Sequence, residues 1–216
     1  MADTQPVVLL DVLKLAPGLT LIHGPPEAGK TTVATMLARE MAVQGREVVY
    51  FDTSPAGEGV SRLYSTIGGA EPAAERIKAV VCPPKRLRRL VIPVLSRSGG
   101  APPSLVVDEL SAIFLSVAAT TPADDVKARS RAYREMLAVA ALMRAYGEGN
   151  SVTCIAVVDD TMEGLPVGGR ALTTLTSASI AVVRGERGVR KIVVEQGPSK
   201  GVELEFRVTE GGPTLL

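Results

Sequence analysis

The sequence predicts an α/β fold with a mostly parallel central sheet, helices on both faces and antiparallel strands at its C-terminal end. Three observations lead to this prediction. Short apolar segments typical of buried strands alternate with helical patterns between residues 19 and 160. A glycine-rich turn joins the first of these strands to a helix. Beyond residue 178, strand patterns follow one another without an intervening helix, which is typical of antiparallel strands that extend a parallel sheet.

Apolar segments define the strands. Those assigned to the alternating part of the chain are 19–23, 47–52, 77–81, 104–109 and 152–160. Segment 178–196 predicts two further strands around the tight turn "GERG", and segment 202–209 alternates apolar and polar residues as a half-buried strand does.

Helical spacing of apolar residues defines two long helices. The first covers residues 30–44. The second follows "TPADD" (121–125), where Thr121 is expected to cap the helix and Pro122 to lie in its first turn. This second helix is expected to end at Gly147 and Gly149, because glycine commonly ends helices.

Length and composition fit a globular protein. The chain has 216 residues, of which 46% are hydrophobic and 22% charged, so it can bury a core. We expect a short N-terminal leader at 1–16 and a single domain at 17–216. The formal net charge of +1 does not by itself indicate a polyanionic partner.

Composition also bears on the cellular compartment. Cys82 and Cys154 are too few for a disulfide framework and are expected to be buried thiols in a reducing compartment. A secretion signal and a membrane-spanning apolar run are both absent from the sequence, which favours a cytoplasmic protein. The scarcity of asparagine and glutamine suggests a thermophilic source, because these amides are thermolabile.

The clearest functional motif is "GPPEAGKT" (24–31), which matches the phosphate-binding pattern G-x-x-x-x-G-K-[ST] between a strand and a helix. Backbone N–H groups of such a loop surround the phosphates. Lys30 would reach the β- and γ-phosphate oxygens and assist catalysis there, and the Thr31 hydroxyl would bind Mg²⁺. No guanine-reading N-K-x-D motif occurs. The predicted nucleotide-binding residues are Gly24, Pro25, Pro26, Glu27, Ala28, Gly29, Lys30, Thr31 and Thr32.

Two acids at the end of strand 104–109 extend this site. Asp108 suits the acid that holds Mg²⁺ through water at the carboxyl end of a strand. Glu109 has two interpretations: it polarises the water that attacks the γ-phosphate, or it is a carboxylate at the start of a helix. The sequence leaves both open.

Further segments carry a family likeness. They are "GPPEAGKTT", "EVVYFDTS", "SLVVDELSAIF", "RAYREMLAVAALMRAYG" and a C-terminal run that ends in "FRVTEGG". In this order and spacing they resemble the RecA superfamily, and within it the archaeal RadA and RadB recombinases. The resemblance covers the chain from residue 17 onward. The small N-terminal domain of RadA has no counterpart, so the chain is more similar to RadB or to short RadA-like paralogues.

This resemblance implies a RecA-like fold, binding of ATP and Mg²⁺, a role in homologous recombination or DNA repair, and DNA contact through two loops. Its residue-by-residue assignments are Gly24, Gly29, Lys30, Thr31 and Thr32 for the nucleotide loop and Asp108 for the magnesium site.

The sequence departs from the family where hydrolysis is concerned. Ser54 stands where the family has the glutamate that activates water, so turnover is expected to be weak unless Glu58 or Glu109 acts as the base. The family also has an amide that senses the γ-phosphate. Here the strand ends on Asp159 and Asp160. An acid facing a triphosphate, expected at Asp160, would repel it unless a metal or an arginine intervenes, so either the sensor is lost or the local chemistry differs.

Basic residues provide candidates for DNA binding. Between residues 76 and 107 there are seven basic residues and no acidic one, and such a block can neutralise phosphates. The DNA-binding candidates are Lys85, Arg86, Arg88, Arg89, Lys127, Arg129 and Arg131. The alternatives are solvated helix faces or a surface for an acidic partner. Loop 161–170, the second DNA loop by resemblance, carries little positive charge, and aromatic residues make up only 3% of the chain, so single-stranded DNA would bind weakly.

These features favour an accessory recombinase paralogue that binds ATP, hydrolyses it weakly and modulates a RadA-type recombinase. The alternatives are an active DNA-stimulated ATPase that assists strand exchange and a KaiC-like signalling ATPase. A homo-oligomer is also considered, because RecA-like sites are often completed by a neighbouring subunit. The candidate donors of such a contact are Arg184, Arg187, Arg190 and Lys191. His23 is expected to pack at a strand end.

Overall fold

The structure is a computed structural model that describes residues 8–54, 56–68, 71–97, 99–209 and 212–216. The first seven residues of the expected leader, and Glu210 and Gly211 of the "FRVTEGG" segment, lie outside the described residues. Within the described ranges, the strands of the sheet are β1 (Gly18–Gly24), β2 (Val48–Asp52), β3 (Ile77–Val81), β4 (Ser104–Asp108), β5 (Thr153–Asp159), β6 (Ala178–Arg184), β7 (Val189–Gln196), β8 (Glu203–Thr209) and β9 (Gly212–Leu215).

All of these strands belong to one sheet with the order β3-β2-β4-β5-β1-β6-β7-β8-β9. Neighbours from β3 to β6 pair in parallel, and neighbours from β6 to β9 pair antiparallel. The register aligns Gly24 with Asp159 and Asp52 with Asp108. Residues that the sequence assigns to the site therefore meet at the carboxyl-terminal edge of the parallel strands, where α/β sheets bind ligands.

Helices cover both faces of the sheet. In the described ranges they are α1 (Leu9–Leu13), α2 (Lys30–Val43), α3 (Glu58–Ile67), α4 (Glu71–Glu75), α5 (Leu87–Leu95), α6 (Ala112–Thr120), α7 (Val126–Asn150) and α8 (Gly169–Thr173). Helices α1 to α4 contribute to one apolar core, and α5 to α8 contribute to the core on the opposite face. The predicted α/β fold class is thus confirmed.

Burial on both faces explains why the parallel strands are continuous apolar runs. Along β2, Tyr50 belongs to the core beneath α2, and the next residue, Phe51, belongs to the core beneath α5 to α7. Both side chains are fully buried. Successive side chains of a strand point to opposite faces, so apolar residues are needed at every position.

The predicted start of the second long helix is wrong in detail. Thr121 follows the last residue of α6, and its hydroxyl donates to the Val117 carbonyl at 2.7 Å. The next helix is capped by Asp125, whose carboxylate accepts from the Ala128 N–H at 3.0 Å. The apolar helix α6, which the sequence patterns did not predict, ends at the point where a helix start was expected.

The end of that helix lies one residue beyond the predicted end at Gly147 and Gly149. Helix α7 continues through Gly147 and Gly149 to Asn150, and Ser151 follows it in the left-handed conformation. Gly147 is buried against β1, where an added Cβ would lie 2.7 Å from the Gly18 carbonyl oxygen. This glycine therefore permits a close helix–strand approach rather than a helix end.

Further short elements were not predicted. Helices α3, α4 and α5 and strand β9 have no counterpart in the sequence-based assignment, whereas β6, β7 and β8 follow the predicted C-terminal strands closely. The turn between β6 and β7 is built around Arg187, a non-glycine residue at φ 52°.

Part of the expected leader is integrated into the fold. Leu9 and Leu13 on α1 are buried in the core beneath α2. The Glu40 carboxylate accepts hydrogen bonds from the N–H groups of Leu9 and Leu10, at 3.0 and 2.7 Å, and so fixes the start of α1. The division at residue 16 stays a prediction.

Two compositional expectations concern buried thiols and membranes. Cys82 and Cys154 are free and buried, as expected. No helix in the described part of the chain combines the length and the apolar character needed to cross a bilayer.

The two glycines of α7 provide a matched test of this packing. Gly147→Ala is expected to destabilise the protein by about 1–3 kcal/mol, because its Cβ would overlap the β1 backbone. Gly149→Ala, which meets open space, is expected to stabilise it by up to about 1 kcal/mol, because alanine favours helix. Urea denaturation measures both changes, and equal effects from the two variants would contradict the packing role of Gly147.

Candidate nucleotide-binding site

The glycines of the phosphate-binding loop are required by the backbone. Gly24 ends β1 at φ 154°, and an added Cβ would lie 2.1 Å from the Val182 carbonyl oxygen of β6. Gly29 precedes α2 at φ 104°, a left-handed conformation that favours glycine. The loop between them therefore turns sharply from strand to helix.

Backbone N–H groups at the N-terminus of α2 are free to bind a ligand. In the part of the chain that the structure describes, the backbone N–H groups of residues 29–32 make no hydrogen bond to a protein acceptor, whereas the Val33 N–H bonds the Gly29 carbonyl. Unpaired N–H groups and the positive end of the helix dipole together attract anions. This geometry suits phosphate.

Lys30 begins α2, and its ammonium group is held inside the site. Its Nζ donates to the Pro25 carbonyl at 3.0 Å and to Asp159 Oδ1 at 2.6 Å. The lysine is almost fully buried. Its charge is therefore directed into the site, and its carboxylate partner comes from the end of β5.

Thr31 and Asp108 meet as a magnesium site requires. The Thr31 hydroxyl donates to Asp108 Oδ1 at 3.1 Å, and the Tyr50 hydroxyl donates to Asp108 Oδ2 at 2.7 Å. Burial raises the pKa of Asp108 to about 6, although both hydroxyl bonds oppose this shift. A cation bound beside the buried carboxyl group would stabilise its ionised form.

Asp52 and Ser54 organise the start of α3. The Asp52 carboxylate accepts from the N–H groups of Ser54 at 2.8 Å and of Val60 at 2.9 Å. The Ser54 hydroxyl oxygen accepts from the Glu58 N–H at 2.9 Å. Ser54 therefore holds the start of α3.

Glu109 is held by hydroxyl groups on two sides. The Ser111 hydroxyl donates to its carboxylate and accepts from the Asp159 N–H. The Thr53 hydroxyl bonds both the N–H and the carbonyl of Glu109, at 2.9 and 2.7 Å. Burial, and secondarily the charge of Asp159, raise the pKa of Glu109 to about 7, against the opposing effect of the Ser111 bond.

These groups line one cavity of about 240 Å³. Its lining consists of Pro26, Glu27, Gly29, Lys30, Thr31, Asp52, Ser54, Glu58, Gly59, Arg62, Asp108, Glu109 and Asp159. Both candidate bases, Glu58 and Glu109, are therefore in the same cavity as Lys30. Sequence reasoning missed Arg62, which follows Glu58 by four residues on the same face of α3.

Of the two aspartates at the end of β5, Asp159 lines this cavity, and not Asp160 as expected. Asp160 turns away and lies 2.9 Å from Nδ1 of the buried His23, and Glu195 of β7 lies 3.0 Å from the other ring nitrogen. His23 thus packs near the strand end, as expected, with a carboxylate at each nitrogen. The strand-end register, which the sequence does not reveal, decides which aspartate enters the site.

Two of the expected cross-subunit donors lie on the chain's own phosphate loop. Arg184 Nη2 donates to the Pro26 carbonyl at 2.7 Å and to the Glu27 carboxylate at 2.9 Å. Arg190 packs over Gly29, where an added Cβ would lie 2.7 Å from the arginine Cδ. The other two candidates lie elsewhere: Arg187 in the β6–β7 turn and Lys191 paired with Glu203.

Some of the basic candidates converge on the opposite side of the sheet. Lys85, Arg88 and Arg131 line a hollow of about 540 Å³ formed with α5, α6 and α7. Arg88 is partly neutralised by Glu135 at 3.0 Å. The exposed side chains near this hollow include those of Arg86, Arg89 and Lys127. Arg129 has a packing role, because its Nη2 donates to the carbonyls of Ala118 and Thr121 at 3.2 and 3.4 Å.

The residues present fit a nucleotide with Mg²⁺. Free N–H groups and Lys30 suit the phosphates, and Thr31 with Asp108 offers two oxygen ligands. Among the described residues no group of three or more His, Cys, Asp or Glu side chains could hold a metal. Thr31 and Asp108 match the one or two protein ligands through which Mg²⁺ usually binds, together with substrate phosphates and water.

Comparisons with known proteins agree with this site. The model of the ATPase family associated with various cellular activities (AAA) matches residues 20–165, which include the loop and the strand-end acids. A crystal structure of the RadB recombinase has a TM-score of 0.69 at 23% identity, with 99% of this chain and 98% of that chain covered. A KaiC-like protein from the hyperthermophilic archaeon Pyrococcus horikoshii OT3 has a TM-score of 0.65 at 16% identity, with coverages of 92% and 89%. No curated protein sequence matches the chain. The RecA-like P-loop fold that the sequence predicted is confirmed, and it resembles the fold of RadB.

The buried Asp108 gives a prediction for stability in the absence of nucleotide and Mg²⁺. Its pKa in the folded protein, about 6, exceeds the ordinary value of 3.8, so its contribution to stability is full below pH 4 and is lost as the pH rises through 6. The change in the free energy of unfolding caused by Asp108→Asn should therefore be about 2 kcal/mol more favourable at pH 8 than at pH 4.

Urea denaturation of the wild type and variant from pH 4 to pH 8 measures this difference. Asp124→Asn serves as the control, because Asp124 is exposed and does not line the cavity. A constant effect of Asp108→Asn across this range would contradict the assigned burial cost.

Proposed function

The chain belongs to the ATPase family associated with various cellular activities (AAA), and we propose that it is a RecA-like accessory protein of homologous recombination or DNA repair. In this proposal it binds ATP, hydrolyses it weakly and modulates a RadA-type recombinase. The observation that carries the proposal is the convergence of Lys30, Thr31 and Asp108 at the free N-terminus of α2, next to a β2 end that carries Ser54 in place of an acid.

Nucleotide binding follows from the groups of the loop. The free N–H groups of residues 29–32 and the Lys30 ammonium would bind the β- and γ-phosphates, while Thr31 and Asp108 would hold Mg²⁺. When bound, Mg²⁺ neutralises charge on the phosphate oxygens. Arg62 lies beside this region, 3.4 Å from the Thr32 hydroxyl, and adds positive potential from α3.

Weak hydrolysis is expected because Ser54 stands where a catalytic carboxylate would be needed. Its hydroxyl accepts from the N–H of Glu58 and is not an acid that could take a proton from water. Loss of a positioned base costs about 10²–10⁴-fold in rate. Turnover would therefore be low unless another carboxylate substitutes for the missing one.

An active ATPase is the second candidate function, and Glu109 favours it. A general base works best when its pKa is close to the working pH, and the pKa of Glu109 is raised to about 7 by burial. Ser111 and Thr53 hold this residue in the cavity wall. Glu58 also lines the cavity, at the exposed N-terminus of α3.

DNA contact is proposed for the hollow lined by Lys85, Arg88 and Arg131. Three positively charged side chains from separate elements converge there, and Arg86 and Arg89 extend the positive surface along α5 and the turn before it. Binding through such a surface is electrostatic and insensitive to sequence. It would be weak, because Glu135 neutralises part of the charge.

Steady-state ATP hydrolysis distinguishes the two candidate functions. The accessory function predicts slow turnover that single-stranded DNA does not stimulate, with Lys30→Ala as the blank. Ser54→Glu, which adds a carboxylate to the cavity wall, should then raise the rate at least about tenfold. Robust DNA-stimulated turnover that is lost in Lys30→Ala would overturn the accessory function. In that case, Glu109→Gln and Glu58→Gln are compared, and the variant that loses ATP hydrolysis identifies the catalytic base.

The DNA surface is tested by the salt dependence of binding to fluorescent single-stranded DNA. Joint replacement of Lys85, Arg88 and Arg131 by alanine should weaken binding and reduce the slope of log K against log salt by about 2, because each phosphate contact on a single strand contributes about 0.7. Replacement of Arg46, Arg187 and Lys200, which are exposed elsewhere, removes the same charge as a control. Equal losses from the two triple variants would remove the case for a localised surface.

A further inference from the structure

Lys30 forms an ion pair with Asp159 inside the nucleotide cavity. Its ammonium lies 2.6 Å from Asp159 Oδ1, and both side chains are largely withdrawn from solvent. Any phosphate oxygen that accepts a hydrogen bond from the same ammonium would lie within about 6 Å of that carboxylate oxygen, since such bonds are about 3 Å long. A phosphate cannot use Lys30 without approaching Asp159.

Three other acids in the cavity are satisfied by neutral donors, and Glu27 pairs with Arg184, which is not a lining residue. Asp52 accepts two backbone N–H groups, Asp108 accepts two hydroxyl groups, and Glu109 accepts the Ser111 hydroxyl. Asp159 differs, because Lys30 is the cation that contacts its carboxylate among the described residues. A phosphate that accepts a hydrogen bond from the same ammonium shares this cation with Asp159, so the single positive charge compensates the two anions only in part.

The charge of the whole cavity adds to this effect. Among the residues that the structure describes, six carboxylates line it, at Glu27, Asp52, Glu58, Asp108, Glu109 and Asp159. The cations among its described lining residues are Lys30 and Arg62. A phosphate group that extends beyond the reach of the loop N–H groups would therefore meet mainly negative potential.

From this geometry we propose that Asp159 makes the site bind a nucleoside diphosphate more tightly than the corresponding triphosphate. The inference rests on the proposed nucleotide binding and deepens it. A triphosphate carries more negative charge than a diphosphate, and like charges about 6 Å apart in a partly buried site repel strongly enough to change affinity by about tenfold or more. Mg²⁺ beside Asp108 reduces the difference by neutralising phosphate charge.

This selectivity has a consequence for the accessory protein. A chain that holds the diphosphate more tightly is filled by triphosphate only where triphosphate is in large excess, so its loaded state follows the ratio of the two nucleotides. Asp159 is then a specificity-determining residue of the binding site.

The test is isothermal titration calorimetry with ADP and with the non-hydrolysable triphosphate AMP-PNP, each with EDTA and with Mg²⁺. In EDTA the wild type should bind ADP at least about tenfold more tightly than AMP-PNP. Asp159→Asn should tighten the binding of both nucleotides, and it should tighten AMP-PNP binding at least about fivefold more than ADP binding, because the triphosphate carries more negative charge. The matched control is Asp160→Asn, because that carboxylate lies on His23 outside the cavity lining and should leave the ratio unchanged.

The wild-type ratio tests the proposal without any variant. Equal affinity of the wild type for the two nucleotides, or an equal change of both affinities in Asp159→Asn, overturns the assigned selectivity and leaves the proposed nucleotide binding intact. Binding of neither nucleotide to the wild type instead overturns the proposed function itself.

Discussion

Two buried carboxylates on neighbouring strands hold the site together. Asp52 and Asp108 are register partners at the ends of β2 and β4, and almost no part of either is exposed. Burial of two acids side by side is costly unless hydrogen bonds satisfy them. Asp52 obtains these bonds from the start of α3, and Asp108 obtains them from Thr31 on α2 and from Tyr50. Both helices are thereby attached to the sheet edge through the same pair of charges.

The position of α3 follows from this pair. Gly59 lies directly against it, since an added Cβ would be 2.6 Å from the Asp108 carboxylate and 3.0 Å from that of Asp52. The close fit brings Glu58 and Arg62 into the cavity wall. Arrangements that favour ligand chemistry while costing stability are common at functional sites. Here the cost is visible in the raised pKa of Asp108, which a bound cation would lower.

Sequence patterns predicted those features of the fold and the site that are determined by short segments of the chain. The parallel strands, the loop at 24–31 and the meeting of Thr31 with Asp108 follow from short segments and from the rule that parallel strands end at one edge. Long-range packing decided the rest. Whether Asp159 or Asp160 enters the cavity depends on how β5 is placed between β1 and β4, and Arg184 reaches Pro26 across 158 residues of sequence. Local periodicity also cannot distinguish a helix end from a close approach, as Gly147 illustrates.

The contacts of Arg184 and Arg190 with the phosphate loop have a consequence for how a ligand would bind. A free glycine-rich loop loses conformational entropy when it closes around phosphate, and that loss subtracts from affinity. In this chain the loop is already supported from outside, by Arg184 on the Pro26 carbonyl and by Arg190 packed over Gly29. The antiparallel part of the sheet thus acts as a rigid support that orders the loop during folding, so little entropy remains to be lost when the ligand arrives.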